Sequence, residues 1–281
     1  EVFFKCENFQ KIGAFKARGA VHAVKNLLPE QLKNGVATHS SGNHAQALAY
    51  AANLVGCKAY IVMPKNSAQV KMQGVKRLGA EVIECDNNLE ARESTLNEVV
   101  KKTGAFFIPP FDHEWIIAGQ GTAAKELIEE IPGLDFIVAP CGGGGLLSGT
   151  ALTAHIMNKE IKVIGAEPEN VGDAAISFKT GNIEKNDPAK STIADGLRTS
   201  LGEITIKCIR EHVNQILTVS ENEIIEAMKI IWSHLKITAE PSSVVPLAVL
   251  LKNKDLFKGK RTGIIISGGN VDFASIPFLS A

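Results

Sequence analysis

Short apolar runs alternate along this chain with stretches in which apolar residues return every three or four positions. A short apolar run bounded by glycine, proline or polar turns reads as a buried strand, and a return near 3.6 residues reads as a helix. The pattern predicts strands at Val2–Lys5, Gly35–His39, Ala59–Met63, Ala80–Cys85, Ala105–Ile108, Phe136–Ala139, Lys162–Ala166, Gln215–Val219 and Gly263–Ile266. It predicts helices at Asn43–Leu54, Val70–Leu78, Leu89–Lys102 and Ile117–Ile131, and another from Leu146. Ser220-Glu221-Asn222-Glu223 is a capping box that opens one more helix.

Apolar strands separated by helices imply an α/β fold of parallel sheets flanked by helices. Ligands of such sheets sit beyond the carboxyl ends of the strands. Three turns follow strands: Ser40-Ser41-Gly42-Asn43-His44, Cys141-Gly142-Gly143-Gly144-Gly145 and Ser267-Gly268-Gly269-Asn270. All three are expected to face one cleft. The expected boundaries lie near Asn34 and Asp112. They give a large domain of residues 1–34 and 113–281 around a small domain of residues 35–112. The chain opens at Glu1 inside a strand-like segment with no initiating Met, so it is expected to be a piece of a longer protein.

Composition narrows the class. The 281 residues suffice for one large domain or two modest ones, and 45% hydrophobic with 21% charged residues fits a soluble globular chain. Thirty Lys and Arg balance thirty Asp and Glu. That balance argues against a nucleic-acid partner and against a polybasic membrane-surface segment. No apolar run approaches the roughly 18 residues of a membrane span. Cys6, Cys57, Cys85, Cys141 and Cys208 are scattered and lack Cys-x-x-Cys spacing. They read as reduced thiols of a cytoplasmic protein, not as a disulfide frame or zinc site. Cys141, beside the glycines, is either a reactive thiol or a small buried apolar residue.

The chemistry starts at the four glycines. A glycine run between a strand and a helix lets the backbone approach a ligand closely, and the helix start offers N–H groups to an anion. No Gly-Lys-Ser/Thr follows, and no acidic residue is placed for a ribose, so a small phosphate-bearing cofactor fits better than a nucleotide. Lys16, in Gly13-Ala14-Phe15-Lys16-Ala17-Arg18-Gly19, becomes a nucleophile if its amine is desolvated. A lysine together with a phosphate cradle suggests pyridoxal phosphate.

These segments resemble those of the fold-type II pyridoxal-phosphate enzymes, in the serine racemase and serine/threonine dehydratase group. The segments are Gly13–Gly19, Ser40–Gln46, Cys141–Leu146 and Ser267–Asn270; their order and spacing match, and the likeness covers almost the whole chain. It implies a two-domain, tryptophan synthase β-like fold and a homodimer. It assigns Lys16 to the Schiff base and to proton transfer on one face of the substrate. It assigns Asn43 to the cofactor's 3-hydroxyl, and Gly142, Gly143, Gly144, Gly145 and Leu146 to its phosphate. Ser267 would donate to an unprotonated ring nitrogen. Ser41 would be the acid/base group of the second face, and Ser40, Asn43, His44 and Thr199 would hold the substrate carboxylate. Taken alone, Ser41 reads as a helix cap, Ser267 as a turn residue and His44 as a structural histidine.

Glu167 and Asp173 stand six apart on a loop, a spacing that suits a hard cation with oxygen ligands. The resemblance adds the Val171 carbonyl and names the ion as Mg²⁺, with Mn²⁺ or Ca²⁺ as alternatives. The implied activity is serine racemisation with L-serine dehydration to pyruvate and ammonia. The alternatives are a threonine or 3-hydroxyaspartate dehydratase and, more remotely, a non-catalytic carrier of the cofactor. Arg198, beside Thr199, is a candidate to bind an extra substrate carboxylate. Ala14 replaces the family's usual Ser or Thr. Lys11, Gln46 and Asn270 match nucleotide-contacting positions of the animal racemases. Glu84 and Ile225 replace the tyrosine and lysine found there, which argues against an ATP effector.

Overall fold

A computed structural model describes the chain apart from residues 68, 188, 274, 275, 277 and 279–281. It divides into two compact units, a first of Glu1–Phe15 with Gln120–Ala281 and a second of Lys16–Gly119.

Strand β1 (Val2–Cys6) belongs to the first unit. The second unit opens with α1 (Lys16–Lys25) and the single turn α2 (Pro29–Leu32). It then alternates β2 (Val36–His39), α3 (Asn43–Val55), β3 (Ala59–Pro64), α4 (Gln69–Arg77), β4 (Glu81–Cys85), α5 (Leu89–Thr103) and β5 (Phe106–Phe107). Its four strands are parallel in the order β4-β3-β2-β5. The inward side of α3 carries Ala45, Ala47, Leu48, Ala49, Ala51 and Ala52, all buried. These small side chains let the helix lie close against α1 and the sheet. The side chain of Asn88 caps α5 by accepting the Ala91 N–H at 2.7 Å. β5 is shorter than the predicted Ala105–Ile108 because Pro109 and Pro110 follow and cannot donate to a ladder.

Helix α6 (Glu114–Glu130) carries the chain onward. The first unit continues with β6 (Phe136–Pro140), α7 (Gly145–Met157), β7 (Lys162–Pro168), α8 (Asp173–Thr180), α9 (Glu203–His212) and β8 (Gln215–Val219). It ends with α10 (Glu221–Ile230), α11 (Pro241–Lys252), α12 (Lys254–Phe257) and β9 (Thr262–Ile266). Five parallel strands run in the order β1-β9-β6-β7-β8. Successive strand residues point to opposite faces, and both faces are covered. Val138, Ile164 and Ile266 pack with Ile224, Met228, Val244 and Val245 on one side. Ile137, Val163 and Ile265 pack with Leu147, Ala151, Ile206 and Ile209 on the other. Each such side chain contributes roughly 1.5–3 kcal/mol by leaving water, which explains the continuous apolar runs Phe136–Ala139, Val163–Ala166 and Gly263–Ile266. The capping box forms as expected, with Ser220 accepting the Glu223 N–H and Glu223 accepting the Ser220 N–H.

Candidate active site

Lys16 is the first residue of α1. Its amine donates to the Pro110 carbonyl, and burial lowers its pKa to about 8. Roughly one such lysine in ten carries a free amine at neutral pH, against fewer than about one in a thousand for an ordinary lysine. A surface lysine has neither property. Strand β2 ends at His39, and Ser40, Ser41 and Gly42 lead into α3. The Gly42 N–H bonds Ser40 Oγ at 3.3 Å, while Ser41 is half-buried and its hydroxyl makes no hydrogen bond among the described residues. Ser41 is therefore not the cap of α3, a place taken by Gly42, and no side chain caps that end. Asn43 is half-buried at the first helical position.

His44 is 2% exposed. Its Nε2 lies 3.1 Å from the Ile108 carbonyl, which can only accept, so Nε2 carries the proton. Nδ1 is then an acceptor, and it is buried with no partner among the described residues. Desolvation, with the Lys16 charge a smaller influence, drops the His44 pKa to about 3, so the ring stays neutral. Lys16, His44 and the Ser40–Asn43 turn all belong to the second unit.

The glycine loop belongs to the first unit. β6 delivers the chain to Cys141, and residues 141–150 are buried throughout. Gly144 caps α7 with φ +86°, a conformation that disfavours any side chain. A Cβ there would also lie 2.8 Å from Leu201 and 2.9 Å from Ile209 and Thr205. No side chain caps α7, so the N–H groups of its first turn stay available to an anion. The Cys141 thiol is held well above its ordinary pKa by burial, reinforced by Glu167 and Asp173. Of its two readings, the small buried residue is the one the structure supports.

Ser267 follows β9 and is 3% exposed. Its carbonyl accepts the Phe15 N–H at 2.9 Å, and Ala14 bridges Gly268. The strand end thus anchors the residues that precede Lys16 in sequence. Asn270 Nδ2 donates to the Ile12 carbonyl at 2.7 Å, where Ile12 holds a left-handed conformation rare for a β-branched residue. Thr199 is exposed on the loop before α9, and the neighbouring Arg198 guanidinium bonds the Thr192 carbonyl at 2.7 Å.

Glu167 and Asp173 are not on the expected loop: Glu167 lies in β7 and Asp173 opens α8, and both are buried, at 1% and 4% exposure. Glu167 accepts the Ala174 and Ala175 N–H groups at 2.8 Å each, at the start of α8. Burial nonetheless pushes its pKa up to about 8, with Asp173 adding to the rise. Burial also raises Asp173, opposed by the Ser200 and Asn186 side chains. Both Asp173 carboxylate oxygens are buried and, among the described residues, neither has a partner at full hydrogen-bond geometry, although the Ser200 and Asn186 side chains are near. No cluster of three or more His, Cys, Asp or Glu is placed to hold a metal among the described residues. Carbonyls and waters would have to complete a cation's shell, as Mg²⁺ commonly requires. Val171, between the two acids, is buried.

These parts fit pyridoxal phosphate by their own chemistry: a desolvated amine, a buried uncapped helix start, a buried hydroxyl and an orphaned imidazole acceptor. Sequence reasoning missed the Pro110 and Ile108 carbonyls, because backbone acceptors leave no residue signature. It also missed Ser243, the third residue of α11, whose hydroxyl lies 3.0 Å from Ser267 Oγ.

A family model described as "Pyridoxal-phosphate dependent enzyme" matches residues 1–268. The beta-hydroxyaspartate dehydratase of Paracoccus denitrificans is 51% identical, the alignment covering 99% of this chain and 88% of that protein. The serine racemase of Dictyostelium discoideum is 48% identical, with 98% and 86% covered. The structure of maize serine racemase superposes with a TM-score of 0.95 at 43% identity, over 98% of this chain and 85% of that one.

Proposed function

We propose that this chain, which belongs to the pyridoxal-phosphate dependent enzymes, is a serine racemase that also dehydrates L-serine to pyruvate and ammonia. The single observation that carries the reading is the desolvated Lys16 amine with a pKa near 8, in a chain 48% identical to a serine racemase. Pyridoxal phosphate, when bound, supplies the electron sink that lets an amino acid lose its α-proton. Lys16 would hold the cofactor, and its amine, when not so engaged, would move the α-proton on one face of the substrate. Ser41 Oγ, with no hydrogen bond among the described residues, would deliver a proton to the opposite face. The first turn of α7, with Gly142, Gly143, Gly144, Gly145 and Leu146, takes the phosphate dianion. Asn43 would meet the 3-hydroxyl and Ser267 the ring nitrogen. The Ser40 hydroxyl, Asn43, His44 and Thr199 orient the substrate carboxylate, and the neutral His44 ring adds no charge there.

The test is D-serine and pyruvate measured side by side from L-serine. Ser41→Ala should lower D-serine formation by about 10²–10⁴-fold and leave measurable pyruvate formation. Equal loss of both products would make Ser41 a binding residue.

A second reading is loss of ammonia from 3-hydroxyaspartate, favoured by the 51% identical dehydratase. The same keto-acid assay with 3-hydroxyaspartate and threonine ranks the substrates. Glu167, Asp173 and the Val171 carbonyl would hold Mg²⁺ or a similar divalent ion in this reading, supported by the burial of both Asp173 oxygens without a full hydrogen bond among the described residues. Chelation should lower the melting temperature and Mg²⁺ should restore it. An Asp173→Ala protein that still loses stability in chelator and regains it with Mg²⁺ as the wild type does, or a wild type with no response at all, would sink the site. A homodimeric assembly and a cytoplasmic location belong to the same reading. Among the described residues no helix is long and apolar enough to cross a membrane.

A further inference from the structure

Glu167 lies near the end of β7 and Asp173 opens α8, so residues 168–172 join the two acids. The joining segment is little more than one tight turn, Glu169–Val171, with Gly172 after it. Glu169 and Asn170 are exposed on it, while Val171 is buried. So short an exposed turn makes few packing contacts of its own, and side chains from outside decide how firmly it is held. Asn170 Nδ2 donates to the Ser191 carbonyl at 3.1 Å, but Ser191 lies on an irregular, exposed stretch. The firmer tie is at Glu169.

Lys252, the last residue of α11, places its amine 2.6 Å from Glu169 Oε1, 3.1 Å from Glu223 Oε2 and 3.2 Å from the Thr218 carbonyl. An ammonium carries three protons, and each has an acceptor here. The Lys252 pKa is raised, above all by the bond to Glu169, so the amine keeps all three. Its other acceptors are themselves fixed. Glu223 Oε2 also receives the Ser220 N–H at 2.7 Å, in the capping box of α10. Thr218 stands opposite Glu167 in the register of β7 with β8, and a Cβ on Gly172 would lie 3.6 Å from its methyl group. Lys252 thus ties the middle of the turn to the strand residue that flanks both of its ends.

An exposed ion pair adds little to global stability, so this tie acts locally if it acts at all. We propose that Lys252 is a positioning residue for the divalent-cation site: by pinning Glu169 to the end of α11 and to β8, it holds in place the turn that carries the Val171 carbonyl between the two acids in sequence. The inference rests on the reading in which Glu167, Asp173 and that carbonyl take a divalent ion. Lys252 has two effects on such a site, and they have opposite signs. Its charge opposes a cation, so charge alone would make its removal tighten Mg²⁺ binding. Salt screening keeps that effect small at a partly exposed amine. Its hold on the turn works the other way, because residues that orient metal ligands from outside commonly account for about 10–100-fold in affinity. Loss of the hold wins, and removing Lys252 weakens the site.

The experiment is calorimetric titration of chelator-stripped holoenzyme with Mg²⁺, paired with melting temperatures in chelator. Lys252→Met should bind Mg²⁺ about tenfold more weakly than the wild type. Its melting temperature in chelator should stay close to that of the wild type, which separates a hold on the site from a general loss of structure. Glu169→Gln cuts the same tie from the other side and should also weaken Mg²⁺ binding. The double variant should bind no more weakly than the weaker of the two single variants, since both remove one contact. Unchanged or tighter Mg²⁺ binding by Lys252→Met overturns the proposal, and so does a double variant in which the two losses add. Should Lys252→Met fail to fold, Glu169→Gln carries the test through one exposed side chain, and unchanged affinity there overturns the proposal. A wild type that takes up no Mg²⁺ overturns the underlying site and the proposal with it. A wild type that binds while both variants bind equally well overturns the proposal alone.

Discussion

The two units set their candidate binding residues in opposite ways. In the second unit the preparation is electrostatic: burial pulls the Lys16 pKa down to about 8 and the His44 pKa to about 3. In the first it is steric: Gly142–Gly145 are buried, no side chain caps α7, and a Cβ at Gly144 would find no room. One set of residues works by what desolvation does to a proton, the other by where a backbone can go. The difference predicts different failures. A substitution in the second unit should remove chemistry and spare the fold, whereas one in the glycine loop should disturb packing and ligand affinity together.

Lys16→Ala is the strongest test of the electrostatic half. The protein should fold and take up pyridoxal phosphate only reversibly, and borohydride should fix the cofactor in wild type but not in the variant. Activity should disappear. A cofactor label recovered on another lysine would refute the assignment.

Gly144→Ala tests the steric half. The methyl group would meet Leu201, Ile209 and Thr205 at under 3 Å, on a backbone with φ +86°. Left-handed strain and overpacking together should cost about 2 kcal/mol or more of stability, read as a lower melting temperature, and cofactor affinity should fall with it. Unchanged stability would mean that the loop relaxes, and the contrast between the two units would weaken.

The same contrast explains what the sequence made legible. Strands β2, β3, β6, β7, β8 and β9 are short apolar runs, and each appears within two residues of its predicted bounds. The glycine loop was legible because four consecutive glycines have few structural uses. Helix α11 was not, because Pro241, Pro246 and the Val244-Val245 pair suppress a helical pattern. Residues 241–249 are also buried all round, so no polar face marks the period. That hidden helix carries Ser243. The depressed pKa of Lys16 was equally invisible, since it arises from burial near a carbonyl 94 positions away in sequence. The acidic pair at Glu167 and Asp173 gave its spacing but not its burial.

The smallest effect expected is also the most specific to the electrostatic half. If Lys16 holds the cofactor as proposed, its amine must first lose its proton, so the rate at which apo-protein captures pyridoxal phosphate should follow the free-amine fraction. With a pKa of about 8, that fraction rises as pH increases through 8 and is nearly complete by about pH 9. The sign follows from desolvation, which disfavours the charged amine and lowers the pKa of a lysine. Capture should therefore accelerate about tenfold between pH 7 and pH 9 and then level off. An ordinary lysine would keep accelerating toward its usual pKa near 10.4. Stopped-flow absorbance of the bound cofactor, recorded from pH 6.5 to 10, measures the curve. A rate still climbing at pH 10 would mean that the Lys16 amine is hydrated in solution, and the electrostatic half of the comparison would lose its foundation.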